Sequence, residues 1–235
     1  MQFIASLIYT TFFLLFTFSY GVCFSLVAPF LSFRSRFALA RNWASVLLFA
    51  LKLICRLDYR VEGLENLPSE PSIALVKHSS SWETFAQARL LPPQAWVLKR
   101  ELTWIPFVGW GIRLLRAIAI DRGAGGAAVR QMIEQGRERL QAGMWIVVSP
   151  EGTRMAPGQT RRYGVGGAAV AAETGALVVP VAHNAGYFWP RRGLLKKPGT
   201  IRVVIGKPIV TKGRDPREIN EEAQRFIEAN SGPPP

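Results

Sequence analysis

Cysteine and histidine are both scarce in this sequence of 235 residues. The two cysteines, Cys23 and Cys55, lie in the apolar N-terminal region without the spacing of metal ligands, so a disulfide framework is not indicated. The two histidines, His78 and His183, are too few for a metal site rich in imidazole. The sequence therefore predicts neither a disulfide-stabilised fold nor a metal centre.

Acidic residues are also few. The chain has 16 Asp and Glu against 29 Lys and Arg, which gives a formal net charge of +13 at pH 7. Such a surplus is compatible with three anionic partners: nucleic acid, anionic lipid headgroups or a phosphorylated substrate. Because 49% of the residues are hydrophobic, solubility alone is a weaker explanation for the charge.

No charged side chain lies between Met1 and Phe33. This run is long enough to span a bilayer. It is too long for a cleaved signal peptide, and no basic residue precedes it. Arg34, Arg36 and Arg41 follow, so the positive-inside tendency places this end of the segment in the cytoplasm.

The next segment, residues 37–57, is amphipathic, with leucines at helical spacing between basic residues. It fits equally an interfacial helix with its cations on lipid phosphates and a helix packed on the globular domain. We predict a two-helix membrane anchor at residues 1–57, spanning or re-entrant. A globular domain at 58–230 and a disordered tail at 231–235 follow.

Short apolar runs alternate with helical stretches from Asp58 onward. The pattern predicts strands at 59–61, 73–77, 96–99, 117–120, 145–149, 177–181 and 200–206. It predicts helices at 82–91, 108–115, 127–142, 165–174 and 216–229. Such alternation indicates an α/β domain with a central, mostly parallel sheet flanked by helices. Pro180 falls inside a predicted strand, which we expect to bulge or end there.

A histidine and a glutamate, His78 and Glu83, flank a serine-rich turn after a buried strand. On one helix they would point about 140° apart, so they meet only if His78 lies at the strand end and Glu83 in the first helical turn. An imidazole held by a carboxylate is a common general base. The alternative is a capping box, Ser80-x-x-Glu83, in which the carboxylate only satisfies backbone N–H groups.

Cations follow several of the predicted strands. Lys99 and Arg122 come at or after the third and fourth strands, and Arg154 follows the fifth, beyond Glu151 and Gly152. Ligands of α/β sheets usually bind at strand ends, and arginine can present a planar fork to a phosphate. Glu151 could orient that arginine or the substrate. The alternative for each cation is an ordinary solvated surface residue.

Aromatic and basic residues are interleaved at positions 187–197. This composition suits a membrane interface, and it would also suit single-stranded nucleic acid. His183, which precedes the stretch, is predicted to be structural.

Together these segments resemble the lysophosphatidic acid acyltransferase family, also called 1-acylglycerol-3-phosphate O-acyltransferases, over residues 58–206. Four blocks occur in the family's order: His78 to Glu83, Ala117 to Arg122, Ser149 to Arg154, and Val179-Pro180-Val181. The chain departs from the family at two positions. Glu83 stands where the family usually has aspartate, and Ser149 where it has phenylalanine.

The resemblance implies that His78 is the general base and that Glu83 orients it. The residues it assigns to the substrate phosphate are Lys99, Arg122, Glu151, Gly152, Thr153 and Arg154. It implies no metal and no organic cofactor, with acyl-CoA or acyl carrier protein as a co-substrate. The implied partners are a lysophospholipid, the acyl thioester and membrane lipids, and not nucleic acid.

The expected activity is acyl transfer to the sn-2 hydroxyl of lysophosphatidic acid, which forms phosphatidic acid in phospholipid biosynthesis. The catalytic domain is expected on the cytoplasmic face of a membrane. One alternative is an acyltransferase of the same family for another lysolipid. A second is a membrane-anchored serine hydrolase that uses a serine of residues 79–81, although the sequence lacks G-x-S-x-G. A third is a non-enzymatic basic binding module.

Overall fold

The structure is a computed structural model that describes residues 1–234, apart from the side chain of Arg122. Two long helices precede the alternating part of the chain. The helices are α1 (Gln2–Val27), α2 (Phe33–Cys55), α3 (Trp82–Leu90), α4 (Val108–Leu114), α5 (Gly126–Gln141), α6 (Gly166–Thr174), α7 (Ala185–Phe188) and α8 (Pro216–Asn230). The strands are β1 (Leu57–Glu62), β2 (Ile73–Val76), β3 (Gln94–Lys99), β4 (Ile118–Ile120), β5 (Trp145–Val148), β6 (Val178–His183) and β7 (Gly199–Ile205).

In the described chain, the strands form one seven-stranded sheet in the order β1-β7-β6-β2-β5-β3-β4. Every neighbouring pair is parallel except β6 and β7. The predicted α/β fold with a mostly parallel central sheet is therefore confirmed. Because β2, β5, β3 and β4 are adjacent and parallel, their carboxyl ends lie at one edge of the sheet, where a ligand is expected to bind.

The central strands are buried on both faces. All residues of β2 and of β5 are buried, and alternate residues of β2 enter two different hydrophobic clusters. Ala74 and Val76 face one cluster, and Ile73 and Leu75 face the other. Continuous apolar runs of this kind are expected for parallel strands that are covered by helices on both sides.

The two N-terminal helices pack on the domain. Tyr9 of α1 and Leu47 of α2 belong to the same core cluster as Trp82 and Phe85 of α3. Both helices are also long and apolar enough to cross a membrane, by length and composition. α1 leaves most of its apolar side chains exposed, whereas α2 buries its leucine face and exposes Phe49 on the other. α2 is therefore packed on the domain along one face, and with Phe49 and Leu53 exposed on the other the interfacial alternative stays a prediction.

The prediction that the strand bulges or ends at Pro180 was wrong, because β6 continues to His183. Pro180 pairs with Leu75 in the parallel ladder. Its carbonyl accepts from the Gly206 N–H, and antiparallel pairing with β7 begins only at Val181. The missing proline N–H therefore lies where no ladder bond needs it, and the strand tolerates the residue.

Candidate active site

His78 lies two residues beyond β2, at the ligand-binding edge of the sheet. Its Nδ1 is 2.8 Å from Oε1 of Glu83, which lies in the first turn of α3. The imidazole is about one-fifth exposed, whereas the Glu83 side chain is buried. The strand end and the helix start thus bring the two side chains together, as the dyad hypothesis requires.

Glu83 also caps the turn between them. Oε1 accepts hydrogen bonds from the N–H groups of Ser79 and Ser80, at 3.2 and 3.1 Å, and Oε2 accepts from Ser80 at 3.0 Å. Ser80 Oγ accepts in turn from the Trp82 N–H. The two interpretations of the motif are therefore compatible, because one carboxylate serves both as a cap and as the partner of His78.

The surroundings of Glu83 favour its ionised form. Burial alone would raise the pKa of this carboxyl, but the hydrogen bond with His78, the electrostatic attraction of the His183 and His78 rings and the Ser80 N–H together hold the pKa below its usual value. An ionised acceptor at Nδ1 requires the proton of a neutral imidazole to reside there. The His78 Nε2 lone pair is then available as a base.

His183, the last residue of β6, lies against the dyad. Its Nδ1 accepts from the Ala185 N–H, so Nε2 carries the proton and donates to the Lys77 carbonyl at 2.8 Å. The same Nε2 is 3.7 Å from Glu83 Oε2. Burial lowers the pKa of His183, which favours a neutral ring. His183 was predicted to be structural, and its contacts place it against the dyad itself.

Glu151, which follows β5, is buried beneath the catalytic turn. Its Oε2 accepts from the His78 N–H at 2.6 Å, and its Oε1 is 2.7 Å from Lys77 Nζ. Burial raises the pKa of this carboxyl, and the charge of Glu228 raises it further. Lys77 and the His78 N–H act in the opposite direction but do not offset the rise. Both carboxylate oxygens are thus engaged on the Lys77–His78 side. Glu151 therefore holds the turn in this structure, and its role at the substrate phosphate stays a prediction.

A cavity of about 700 Å³ opens in front of the dyad. One part of its wall is apolar and comes from the N-terminal helices and α4, with Phe13, Tyr20, Phe24, Trp43, Val108, Ile112 and Leu115. The other part is polar and includes His78, Glu83, Thr84, Lys99, Ser149, Gly152, Thr153 and Arg154. The cavity therefore combines apolar side chains with cations, and the imidazole of His78 lines the same cavity.

Most of the predicted phosphate-binding residues share this cavity. Lys99, Gly152, Thr153 and Arg154 all line it. Lys99 is half-exposed and pairs with Glu101 at 3.1 Å. Arg154 Nη2 lies 3.5 Å from Thr84 Oγ1, and within the described residues its buried Nε has no hydrogen-bond partner. The side chain of Arg122 lies outside the described residues, and its assignment stays a prediction.

Comparison with known proteins places these features in a family. Residues 58–184 match the family model described as Acyltransferase. A 1-acyl-sn-glycerol-3-phosphate acyltransferase of Pseudomonas aeruginosa is 42% identical over 214 residues, which span 89% of this chain and 83% of that protein. The chain belongs to the 1-acyl-sn-glycerol-3-phosphate acyltransferase family. The family predicted from the ordered motifs is thus confirmed.

Other relatives of this acyltransferase extend the similarity to eukaryotes and to a solved structure. A 1-acyl-sn-glycerol-3-phosphate acyltransferase of Saccharomyces cerevisiae is 31% identical over 183 residues, covering 74% of this chain and 59% of that protein. The crystal structure of the 1-acyl-sn-glycerophosphate (LPA) acyltransferase PlsC of Thermotoga maritima superposes with a TM-score of 0.81 at 25% identity. It covers 97% of this acyltransferase and 95% of the Thermotoga chain.

Sequence reasoning missed two arginines of the acyltransferase cavity. Arg191 and Arg192 line it, and Arg191 Nη1 donates to the Arg154 carbonyl at 2.5 Å. The signal in the sequence was the basic and aromatic stretch at 187–197, which was interpreted as a membrane interface. The stretch begins within α7, a single helical turn that is too short to show a helical period in the sequence.

Proposed function

We propose that this acyltransferase moves a fatty acyl group from a thioester, acyl-CoA or acyl-loaded acyl carrier protein, to the sn-2 hydroxyl of lysophosphatidic acid. The observation that carries the proposal is that the His78–Glu83 pair lines a cavity whose wall also presents apolar side chains and cations. A lysophospholipid offers a matching set of groups: a fatty chain, a hydroxyl and a phosphate.

The proposed chemistry needs only His78 and its partner. Nε2 removes the proton of the sn-2 hydroxyl while that oxygen attacks the thioester carbon, and Glu83 offsets the positive charge that develops on the ring. The tetrahedral oxyanion then collapses, the C–S bond breaks, and the imidazolium returns the proton to the thiolate. An ester and a free thiol result, and no metal or organic cofactor enters the reaction.

The N–H groups of Ser79 and Ser80 bind Glu83 and are therefore not available to stabilise the tetrahedral oxyanion. The surroundings of these serines also bear on the alternative of a serine hydrolase. The Ser79 and Ser80 residues are buried, and Ser80 Oγ is bound to the Trp82 N–H. The contact of Ser80 Oγ disfavours this serine as a nucleophile, which supports a direct attack by the acceptor.

The headgroup site is tested by replacing Arg154 with alanine. We expect kcat/KM for lysophosphatidic acid to fall about 10- to 100-fold, which corresponds to the loss of a hydrogen bond to a charged group. With an acceptor that lacks a phosphate, such as a monoacylglycerol, the rate should be low in the wild type and nearly the same in Arg154→Ala. Steady-state assays with purified protein and a panel of lysolipids measure both.

The matched control is Arg137→Ala, because Arg137 is an arginine of α5 that pairs with Glu173 and does not line the cavity. This variant should retain wild-type rates on every acceptor. Equal wild-type rates on lysophosphatidic acid and on acceptors without a terminal phosphate would overturn the choice of substrate.

We also propose that α1 and α2 attach the domain to the cytoplasmic face of a membrane. The apolar, exposed surface of α1 and the arginines that follow it support this orientation. Protease added to sealed inside-out vesicles should digest the catalytic domain, whereas digestion only in right-side-out vesicles would contradict the proposed side.

A further inference from the structure

A buried lysine precedes the catalytic histidine. The Lys77 side chain is only 5% exposed, and its Nζ lies 2.7 Å from Glu151 and 2.8 Å from Glu228. It also donates to the Gln159 carbonyl at 3.2 Å. Burying an ammonium is costly unless it is paired and hydrogen-bonded, and here two carboxylates surround one cation. The pairing therefore has more negative groups than neutralisation of Lys77 requires.

The second carboxylate comes from the end of the chain. Glu228 lies in the last turns of α8, where the negative end of the helix dipole disfavours an acidic residue. Its carboxylate makes two contacts with Lys77 Nζ and accepts from the Tyr163 hydroxyl at 2.7 Å. Asn220 of the same helix donates to the Tyr163 carbonyl. α8 is thus tied both to Lys77 and to the loop before α6.

These contacts form one continuous path to the catalytic turn. Glu228 holds Lys77, Lys77 holds Glu151, and Glu151 accepts from the His78 N–H. The His78 carbonyl is held as well, because it accepts a hydrogen bond from the Met155 N–H at 2.7 Å. The backbone that carries the imidazole is therefore fixed by groups from several distant segments.

The path lies outside the cavity. Lys77, Tyr163 and Glu228 are not among the described residues that line it, so they do not touch a substrate there. Glu228 also lies beyond residues 58–184, which match the acyltransferase family model. A contribution of Glu228 to the reaction must therefore act through the position of another residue.

From this geometry we infer that Glu228 is a positioning residue, which holds the backbone of His78 through Lys77 and Glu151 and so aligns the imidazole for acyl transfer. The inference rests on the proposed role of His78 as the base. It makes the C-terminal helix a part of the catalytic apparatus and not only a cover for the sheet.

The test is Glu228→Gln, which removes one charge but leaves Lys77 paired with Glu151, so the domain is expected to fold. Misalignment of the base should lower kcat about 10- to 100-fold and leave the KM of both substrates within about twofold. The control, Glu221→Gln, makes the same change at an exposed position of α8 and should behave as wild type. Wild-type kcat in Glu228→Gln would overturn the inference, as would a loss explained wholly by a smaller folded fraction.

A double variant distinguishes positioning from a general structural effect. If Glu228 acts through His78, adding Glu228→Gln to His78→Ala should not lower the residual rate further, because the misplaced group is already absent. A further drop of the same factor as in the single variant would overturn the inference. Full activity in His78→Ala would instead overturn the proposed function, so the two failures are distinguishable.

Discussion

Replacing His78 with alanine is expected to lower kcat for acyl transfer about 10²- to 10⁴-fold, the usual contribution of a positioned general base. The imidazole is about one-fifth exposed and lines the cavity, so its removal should leave the core intact. KM for both substrates should change little, since His78 contributes the proton transfer and not the headgroup contacts. Steady-state kinetics on purified variant and wild type measure the effect.

Added imidazole provides the control for His78→Ala. The free base can enter the space that the side chain vacated, and we expect it to restore part of the rate in the variant but to leave the wild type unchanged. A variant with wild-type kcat would contradict the role of His78 as the base. A variant that has lost its cooperative unfolding transition would have to be replaced by His78→Gln.

Glu83→Gln is expected to lower kcat about 10²- to 10⁴-fold, as large an effect as loss of the base itself. An amide can donate to His78 Nδ1, which moves the ring proton to Nε2 and blocks the base. One amide oxygen also cannot replace both carboxylate oxygens in the bonds to Ser79 and Ser80. The loss should appear in kcat, with the thermal midpoint measured alongside.

Glu83→Asp is the matched comparison for this position. Aspartate keeps the charge but is shorter by one methylene, about 1.5 Å, so it reaches the imidazole only if α3 moves closer. Its loss of kcat should be smaller than that of Glu83→Gln. If both variants lost the same factor, charge and tautomer control would not be the function of Glu83, and capping of the turn would account for it.

The helices and strands of the domain were predictable to within two residues at each end, apart from α7. The reason is physical: β2 and β5 are buried on both faces, so they appear as continuous apolar runs between polar turns. Pro180 was misjudged because the hydrogen bonds on each side of a strand depend on its neighbours. The missing N–H faces a side where the ladder with β7 has not begun.

The candidate site was predictable where its residues follow parallel strands. His78, Lys99 and Arg154 were placed at strand ends, and such ends meet at one edge of the sheet. The sequence alone did not decide between a dyad and a cap for Glu83. The two roles do not exclude each other, because the two oxygens of a carboxylate have enough lone pairs to bind the imidazole and cap the turn at once.

The contacts beneath the site were not predictable. Glu228 lies 151 residues from Lys77, and His183 lies 106 residues from the carbonyl that it binds. Only the tertiary fold brings these residues together, and no local spacing records it. The contacts of Glu151 were not predictable for the same reason, because its position in the motif suggests a neighbour of Arg154 whereas the fold places it against Lys77 and His78.

The central claim, a direct attack by the acceptor on the thioester with His78 as base, is tested most directly by single-turnover acyl transfer from a labelled thioester. We expect labelled phosphatidic acid to appear in step with thiol release, only when lysophosphatidic acid is present, and to be lost in His78→Ala. Label that becomes covalently bound to the protein before the acceptor is added would contradict the account.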